Sequence, residues 1–441
     1  MEQTLNWSDC LTHVEMTDVG MRRANNQDSF AVLMASDVES WRRKGHVFVV
    51  ADGMGAHAAG ELASKMAADG IPHNYYKLRD DPPPDAISKS IHEVNDQIHR
   101  RGQANAEFHG MGTTASVLLI LPQGALVAHV GDSRVYRVRG GRIEQLTFDH
   151  SLVWEMAASG QLPRDAAPNL VPKNIITRSL GPHKEVKVDL EGPYPLEVGD
   201  TFLLCSDGLT GQVKDEEIGA VLSALAPAEA GQVLIDLANL RGGPDNITAL
   251  IIRVTGAAIT ASGGSPQEPL ALGTNSATNS PSPPNSKLWL FAIVAIVAAM
   301  FLPQFSWGVI PAIVCLVIGV GLITFSILQR MTPPNETKYL IPGARLGRGP
   351  HAAVDCAPNE AIVGNLSQLL DQLREAAGDG QWNVDWSKFD GYAQHGRAAV
   401  QRRDYSGAIR EYVHALRFMM NQLRTQGRSA AGDTAPDDVL G

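Results

Sequence analysis

Five apolar runs that read as buried strands each begin or end at an aspartate. "HVFVV" leads to Asp52-Gly53, "TFLLC" to Asp207-Gly208 and "GALVAHV" to Asp132, while Asp28 precedes "SFAVLM" and Asp245 precedes "ITALIIRV". One such aspartate alone is an ordinary turn residue, since Asp before Gly favours tight turns. Turn aspartates need no core strand beside them, so that reading weakens as the count grows. Sheets gather strand ends at their edges, and carboxylates collected there repel strongly unless cations neutralise them. Ligation by oxygen alone suits hard ions such as Mg²⁺ or Mn²⁺. Gly53 lets the backbone approach closely, which makes its carbonyl a further candidate ligand.

Residues 1–255 read as one globular domain. "TTASVLLIL", "GALVAHV", "SRVYRVR" and "RIEQLT" follow one another across short turns, and Gly140-Gly141 is a hairpin signal. Helical spacing marks "AAGELASKMAADG", "DEEIGAVLSALA" and "PAEAGQVLIDLANLRGG". Antiparallel strands grouped between long helices predict an α+β architecture of sheets covered by helices. A net charge of -10 argues against a nucleic-acid binder. Cys10, Cys205, Cys315 and Cys356 are scattered, with no C-x-x-C pair, so a reducing compartment is expected. The polar start "MEQTLNWSDC" is not a secretory signal.

Residues 256–286 are Ser, Pro, Gly, Ala and Thr with little charge, a composition expected to remain a disordered linker. Residues 287–330 follow with no charged residue between Leu288 and Gln329. Val309 to Leu328 is long enough to cross about 30 Å of hydrocarbon as a helix. Leu288 to Leu302 reaches that length if it continues towards Trp307. "PQFSWG" between them reads as a tight turn. Lys287 and Arg330 flank the pair, which predicts a two-span transmembrane hairpin with both soluble parts in the cytoplasm. A single span, with the C-terminal part outside, is the weaker alternative.

Residues 331–441 are expected to be a small α-helical tail that recruits a protein partner or substrate. "EAIVGNLSQLLDQLREAAG" is an amphipathic helix, and "YAQHGRAAVQRRDYSGAIREYVHALRFMMNQL" reads as two helices. The latter resembles a single tetratricopeptide unit, with Gly396, Ala408, Tyr412 and Ala415 at its packing positions and Tyr405 in the turn. A plain helical hairpin with small residues at its crossing accounts for it equally, because solenoids need several repeats. "LGRGPHAAV" imitates a kinase glycine loop but lacks the rest of that machinery, and reads as a flexible basic segment.

"TDVGMRRANNQD", "ADGMGAHAAGE", "GMGTTA", "HVGDSRVYR", "DHS", "ITRSLG", "CSDGLT" and "DNIT" occur in that order. Over about residues 10–255 the chain resembles the bacterial branch of the metal-dependent type 2C (PPM-type) Ser/Thr protein phosphatases. The resemblance implies a β-sandwich of two antiparallel sheets flanked by helices, with two divalent cations, Mn²⁺ or Mg²⁺, at one edge. It implies that Asp52 bridges both ions, that the Gly53 carbonyl binds one, and that Asp207 and Asp245 hold the other. Asp132 matches the position for a third, weaker ion, Asp28 would hold metal waters, and Arg23 would grip the substrate phosphate. The region from "DHSLVWEMAASGQL" to "NIITRSLG" would form a flap beside the site.

The expected activity is hydrolysis of phosphoserine or phosphothreonine by water activated between the two ions. Cys205 neighbours Asp207 without a phosphate-binding loop, which excludes a cysteine nucleophile. Gln27 stands where many relatives have glutamate, Ala56 replaces a usual glycine, and His57 has no assigned role. Two other readings remain: a pseudophosphatase serving as a binding module, and a two-metal hydrolase of small phosphate esters.

Overall fold

The computed structural model describes residues 7–55, 58–161, 172, 175–260, 269–272, 314, 317–318, 338–341, 343–379 and 384–432. The chain divides into two compact units, Met1–Pro269 with Ile341–Gly441, and Leu270–Leu340.

The first unit is built on two antiparallel sheets. Its strands are β1 (Leu11–Asp18), β2 (Asp28–Leu33), β3 (His46–Met54), β4 (Gly112–Thr113), β5 (Ala115–Leu121), β6 (Gly124–Val130), β7 (Arg134–Arg139), β8 (Arg142–Gln145), β9 (Asp189–Tyr194), β10 (Thr201–Cys205) and β11 (Ile247–Val254). One sheet runs β2-β3-β5-β6-β9, with β4 beside β3; the other runs β1-β11-β10-β7-β8 and gains one more strand described below. Phe48, Val50, Leu118, Ile120, Phe202, Leu204, Leu250 and Ile252 fill the space between the sheets. Alternation along a strand turns its other residues to the outer face. There Leu203, Cys205, Ala249 and Ile251 join a second core under helices. Both faces are covered, which is why these strands read as unbroken apolar runs.

The helices are α1 (Val38–Lys44), α2 (Ala58–Lys77), α3 (Pro83–Ala104), α4 (Leu152–Ala158), α5 (Asp207–Thr210), α6 (Asp215–Ala224) and α7 (Pro227–Leu240). α2 packs on β2 and β3 and against α3, while α7 packs on β1 and β11. The sandwich flanked by helices is thus the expected one. Sequence reasoning passed over α3, although Ile87, Ile91, Val94 and Ile98 recur at helical spacing and are all buried. The expected linker begins later than Gly256: Ala257–Ile259 forms a 3₁₀ turn, and Ile259 is buried in the inter-sheet core.

In the second unit β12 (Ala271–Leu272) pairs antiparallel with β13 (Lys338–Tyr339). The expected membrane hairpin at 287–330 lies outside the described residues, apart from Val314, Val317 and Ile318. Among the described residues no helix is long and apolar enough to cross a membrane.

The first unit then continues with β14 (Ala352–Asp355) and helices α8 (Glu360–Asp379), α9 (Trp386–Gln401) and α10 (Tyr405–Gly432). The expected helices are present, but they do not stand apart as a tail. β14 pairs antiparallel with β8, Val354 opposite Ile143, and extends that sheet. Leu366, Leu370, Tyr412, Val413 and Leu416 share one apolar core with Ile218, Leu222 and Leu234 of α6 and α7. Arg417 and Arg424 of α10 pair with Glu229 and Asp236 of α7. α9 and α10 form a helical hairpin in which Gly396 lies against the Tyr412 ring. A single hairpin of this kind does not establish a tetratricopeptide unit. The segment expected to be flexible, Leu346 to Val354, is correspondingly docked: Leu346 bridges Gly192, and its last residues belong to β14.

Candidate functional site

The register of β2 on β3 sets Asp28 opposite Asp52. β10 ends at Cys205, and the chain turns directly into α5, whose first residue is Asp207. Asp245 lies two residues before β11, which neighbours β10. Asp132 sits in the turn from β6 to β7, next to Ser133, whose hydroxyl is 2.7 Å from that of Thr114. The five aspartates are close enough to feel one another: burial first, and then Asp28, Asp207, Asp132 and Asp245 in turn, raise the pKa of Asp52.

Polar groups from distant segments hold this arrangement. Ser206 Oγ donates to Asp28 Oδ2 at 2.7 Å. The Asp52 backbone N–H donates to Thr114 Oγ1 at 2.8 Å, and its carbonyl accepts from the Thr114 N–H at 2.9 Å. Asn246 ties the Arg23–Asp28 loop in place. Its Oδ1 accepts from the Gln27 N–H at 2.8 Å, and its amide donates to Val19 O and Asn25 O at 2.9 and 3.0 Å. Gly53 passes so near α2 that a Cβ there would meet the Gly60 carbonyl oxygen at 2.1 Å, so no other residue fits.

Burial is the main electrostatic influence on these acids. It raises Asp28 to about 7 against the help of Ser206 and Thr248, with Asp207 and Asp245 adding to the rise. It raises Asp132 to about 8, with Asp207 and Asp149 contributing. Asp52 and Asp207 are raised by burial first and by neighbouring carboxylates second, and they share a hydrogen bond.

Two observations show how well the site fits divalent cations. Asp28 Oδ1 and Asp132 Oδ1 are buried without a hydrogen-bond partner, an expensive state for a carboxylate oxygen. The candidate donors are all oxygens, as hard cations prefer. Among the described residues, no three acidic, histidine or cysteine side chains already surround one point as a cage. Asp28 instead accepts from the Ser206 hydroxyl, and Asp245 from the Arg23 guanidinium. The donor set and the two orphaned oxygens fit cation binding.

Arg23 is near the cluster, its Nη2 donating to Asp245 Oδ2 at 2.8 Å. The side chains are 47% and 34% exposed, so this pair is weak and exchangeable. Sequence reasoning placed both residues but not their pairing. It also missed Ser206, Thr114 and Asn246, although Ser206 and Asn246 adjoin Asp207 and Asp245 in the sequence. Gln27 Nε2 reaches the Gly55 carbonyl at 3.4 Å. Ala56 and His57 lie outside the described residues, as do 162–171 and 173–174 of the expected flap. Cys205 is fully buried and its thiol is pushed far up, mainly by burial. That leaves it inert as a nucleophile.

A family model described as Protein phosphatase 2C matches residues 12–153. The protein phosphatase PhpP of Streptococcus pneumoniae is 39% identical over 242 residues, 54% of this chain and 95% of the relative. The serine/threonine phosphatase stp of Listeria welshimeri is 37% identical over 246 residues, 54% of this chain and 95% of the relative. The solved structure of the S. agalactiae serine/threonine phosphatase superposes with a TM-score of 0.51 at 37% identity, covering 55% of this chain and 99% of that one.

Proposed function

The chain belongs to the protein phosphatase 2C family of serine/threonine phosphatases, and from that premise we propose a membrane-anchored enzyme that hydrolyses phosphoserine and phosphothreonine in proteins with the help of two divalent cations. Phosphatases of this family use Mn²⁺ or Mg²⁺. The observation that carries the site reading is the shared, partly unsatisfied carboxylate cluster of Asp28, Asp52, Asp132, Asp207 and Asp245.

Asp52, Asp207 and Asp245, with the Gly53 carbonyl, would hold the two cations; Asp132 would serve a third, weaker one, and Asp28 would accept from bound waters. The cations supply charge neutralisation and the acidification of water to a pKa near 7. Ser206 keeps one Asp28 oxygen engaged and leaves the other without a partner. Thr114 fixes the backbone of Asp52 from both sides, so its carboxylate needs little reorganisation. Asn246 holds the loop that carries Arg23. Arg23 exchanges Asp245 for the substrate phosphate, where a planar guanidinium gives paired hydrogen bonds to two oxygens. The test is turnover by the full chain in detergent with Mn²⁺ against a phosphothreonine peptide and a small aryl phosphate. Turnover of the aryl phosphate alone favours a small-ester hydrolase, and turnover of neither favours a pseudophosphatase.

The anchor is proposed at 287–330, on its charge-free composition. Residues on both sides of it share one core and one β-ladder, and a folded unit cannot be divided by a bilayer. This supports an even number of spans and opposes a single one. A reporter fused after Gly441 should therefore read out on the same side as one fused before Met1; opposite sides would sink the hairpin.

A further inference from the structure

We propose that the segment 345–355, which rejoins the first unit beyond the linker, is a strap that positions the turn Phe148–Trp154 beside the carboxylate site, with His351 as its positioning residue. The strap is seated on β9. Leu346 and Gly192 exchange backbone hydrogen bonds, with Gly192 N–H donating to Leu346 O at 3.1 Å. Glu191, 5% exposed, spends both carboxylate oxygens on it: Oε2 accepts from the Gly349 N–H at 2.8 Å, and Oε1 accepts from His351 Nε2 at 2.9 Å. The glycines that imitate a phosphate loop have their reason here. A Cβ at Gly347 would lie 2.0 Å from Glu191 Oε2.

From His351 two short routes lead towards the site. Its backbone N–H donates to Gln145 O at 2.8 Å, and the Gln145 amide donates to Asp149 Oδ1 at 2.7 Å. Next along the chain, His150 N–H donates to Gly131 O at 2.7 Å, while Gly131 N–H donates to His150 Nδ1 at 2.9 Å. Gly131 precedes Asp132. The second route is aromatic. The His351 ring meets the Phe148 ring edge-on at 5.6 Å, and Phe148 meets Trp154 of α4 edge-on at 5.4 Å. Packed rings and saturated hydrogen bonds transmit displacement because they have few alternative arrangements. The C-terminal segment thus supports the wall of the site on which a phosphopeptide would lie.

This rests on the phosphatase reading, and turnover of the phosphothreonine peptide by the wild type tests that reading separately. In the full chain with Mn²⁺, His351→Ala should raise the KM for a phosphothreonine peptide about tenfold. The kcat, the aryl phosphate kinetics and the half-saturating Mn²⁺ concentration should stay within about twofold of wild type. His351→Gln, which keeps a donor for Glu191, should recover most of the loss. If His351→Ala gives no soluble protein, His351→Phe keeps the ring against Phe148, and the same selective rise in KM, smaller in size, is required of it. An unchanged peptide KM overturns the proposal. So does an equal loss on both substrates that tracks a lowered melting temperature, which would make His351 merely structural. Absence of phosphothreonine-peptide turnover in the wild type would remove the underlying reading as well.

Discussion

Asp28 and Asp52 are cross-strand partners in the β2–β3 ladder. Directly opposed like charges destabilise a sheet, and here burial adds to the repulsion. A strand pair keeps such an arrangement when something else bound there neutralises it.

Asp207→Asn preserves size and hydrogen bonding but removes the charge of a proposed ligand. Mn²⁺-dependent hydrolysis of a phosphopeptide should fall by at least about a hundredfold, with the circular dichroism spectrum unchanged. Activity within tenfold of wild type would remove Asp207 from the ligand set.

Arg23→Ala should mainly raise the KM for phosphopeptide, since Arg23 is proposed to bind phosphate in ground and transition states. Arg22, its neighbour, is exposed, and Arg22→Ala should leave KM within about twofold. A larger effect from Arg22 would show that the wrong arginine has been assigned. 

The pH dependence of stability follows from the raised acids. A carboxyl whose folded pKa exceeds its unfolded value binds its proton more tightly in the folded state. Its contribution is fully present below the unfolded value of 3.8 and is lost as pH rises through the folded value, about 7 for Asp28 and about 8 for Asp132. Chelated protein should therefore lose this support progressively from about pH 4 to about pH 8. Mn²⁺, at a hundredfold excess over its Kd, should return roughly 2.7 kcal/mol. The measurable result is a gap between Mn²⁺-loaded and chelated melting temperatures that widens with pH. His46 and Lys44, which burial also shifts, lie in both forms alike and drop out of the difference. Overlaid melting curves at every pH would argue against a cation site.

Leu416 of α10 is 1% exposed in the core shared with α6 and α7. Leu416→Ala should cost about 2–5 kcal/mol, and denaturant unfolding should show one transition carrying both the helices and the phosphatase activity. A separate early transition that leaves activity intact would make the C-terminal helices a domain of their own.

The sequence by itself determined most of the core strands, most helices and the five aspartates at strand mouths, because alternation, helical spacing and turn chemistry are local properties. The charge-free run was equally legible, for the same reason. Tertiary structure alone decided what those parts do to one another. Ser206 meets Asp28, and Arg23 meets Asp245, across separations along the chain that no local pattern records. The apolar faces of α8 and α10 announced that they would be buried but not against what, since hydrophobic burial is non-directional. Glycines that imitated a phosphate loop were instead needed where backbone passes a buried glutamate. A glycine's spacing is written in the sequence, but the neighbour that demands it is chosen by the fold.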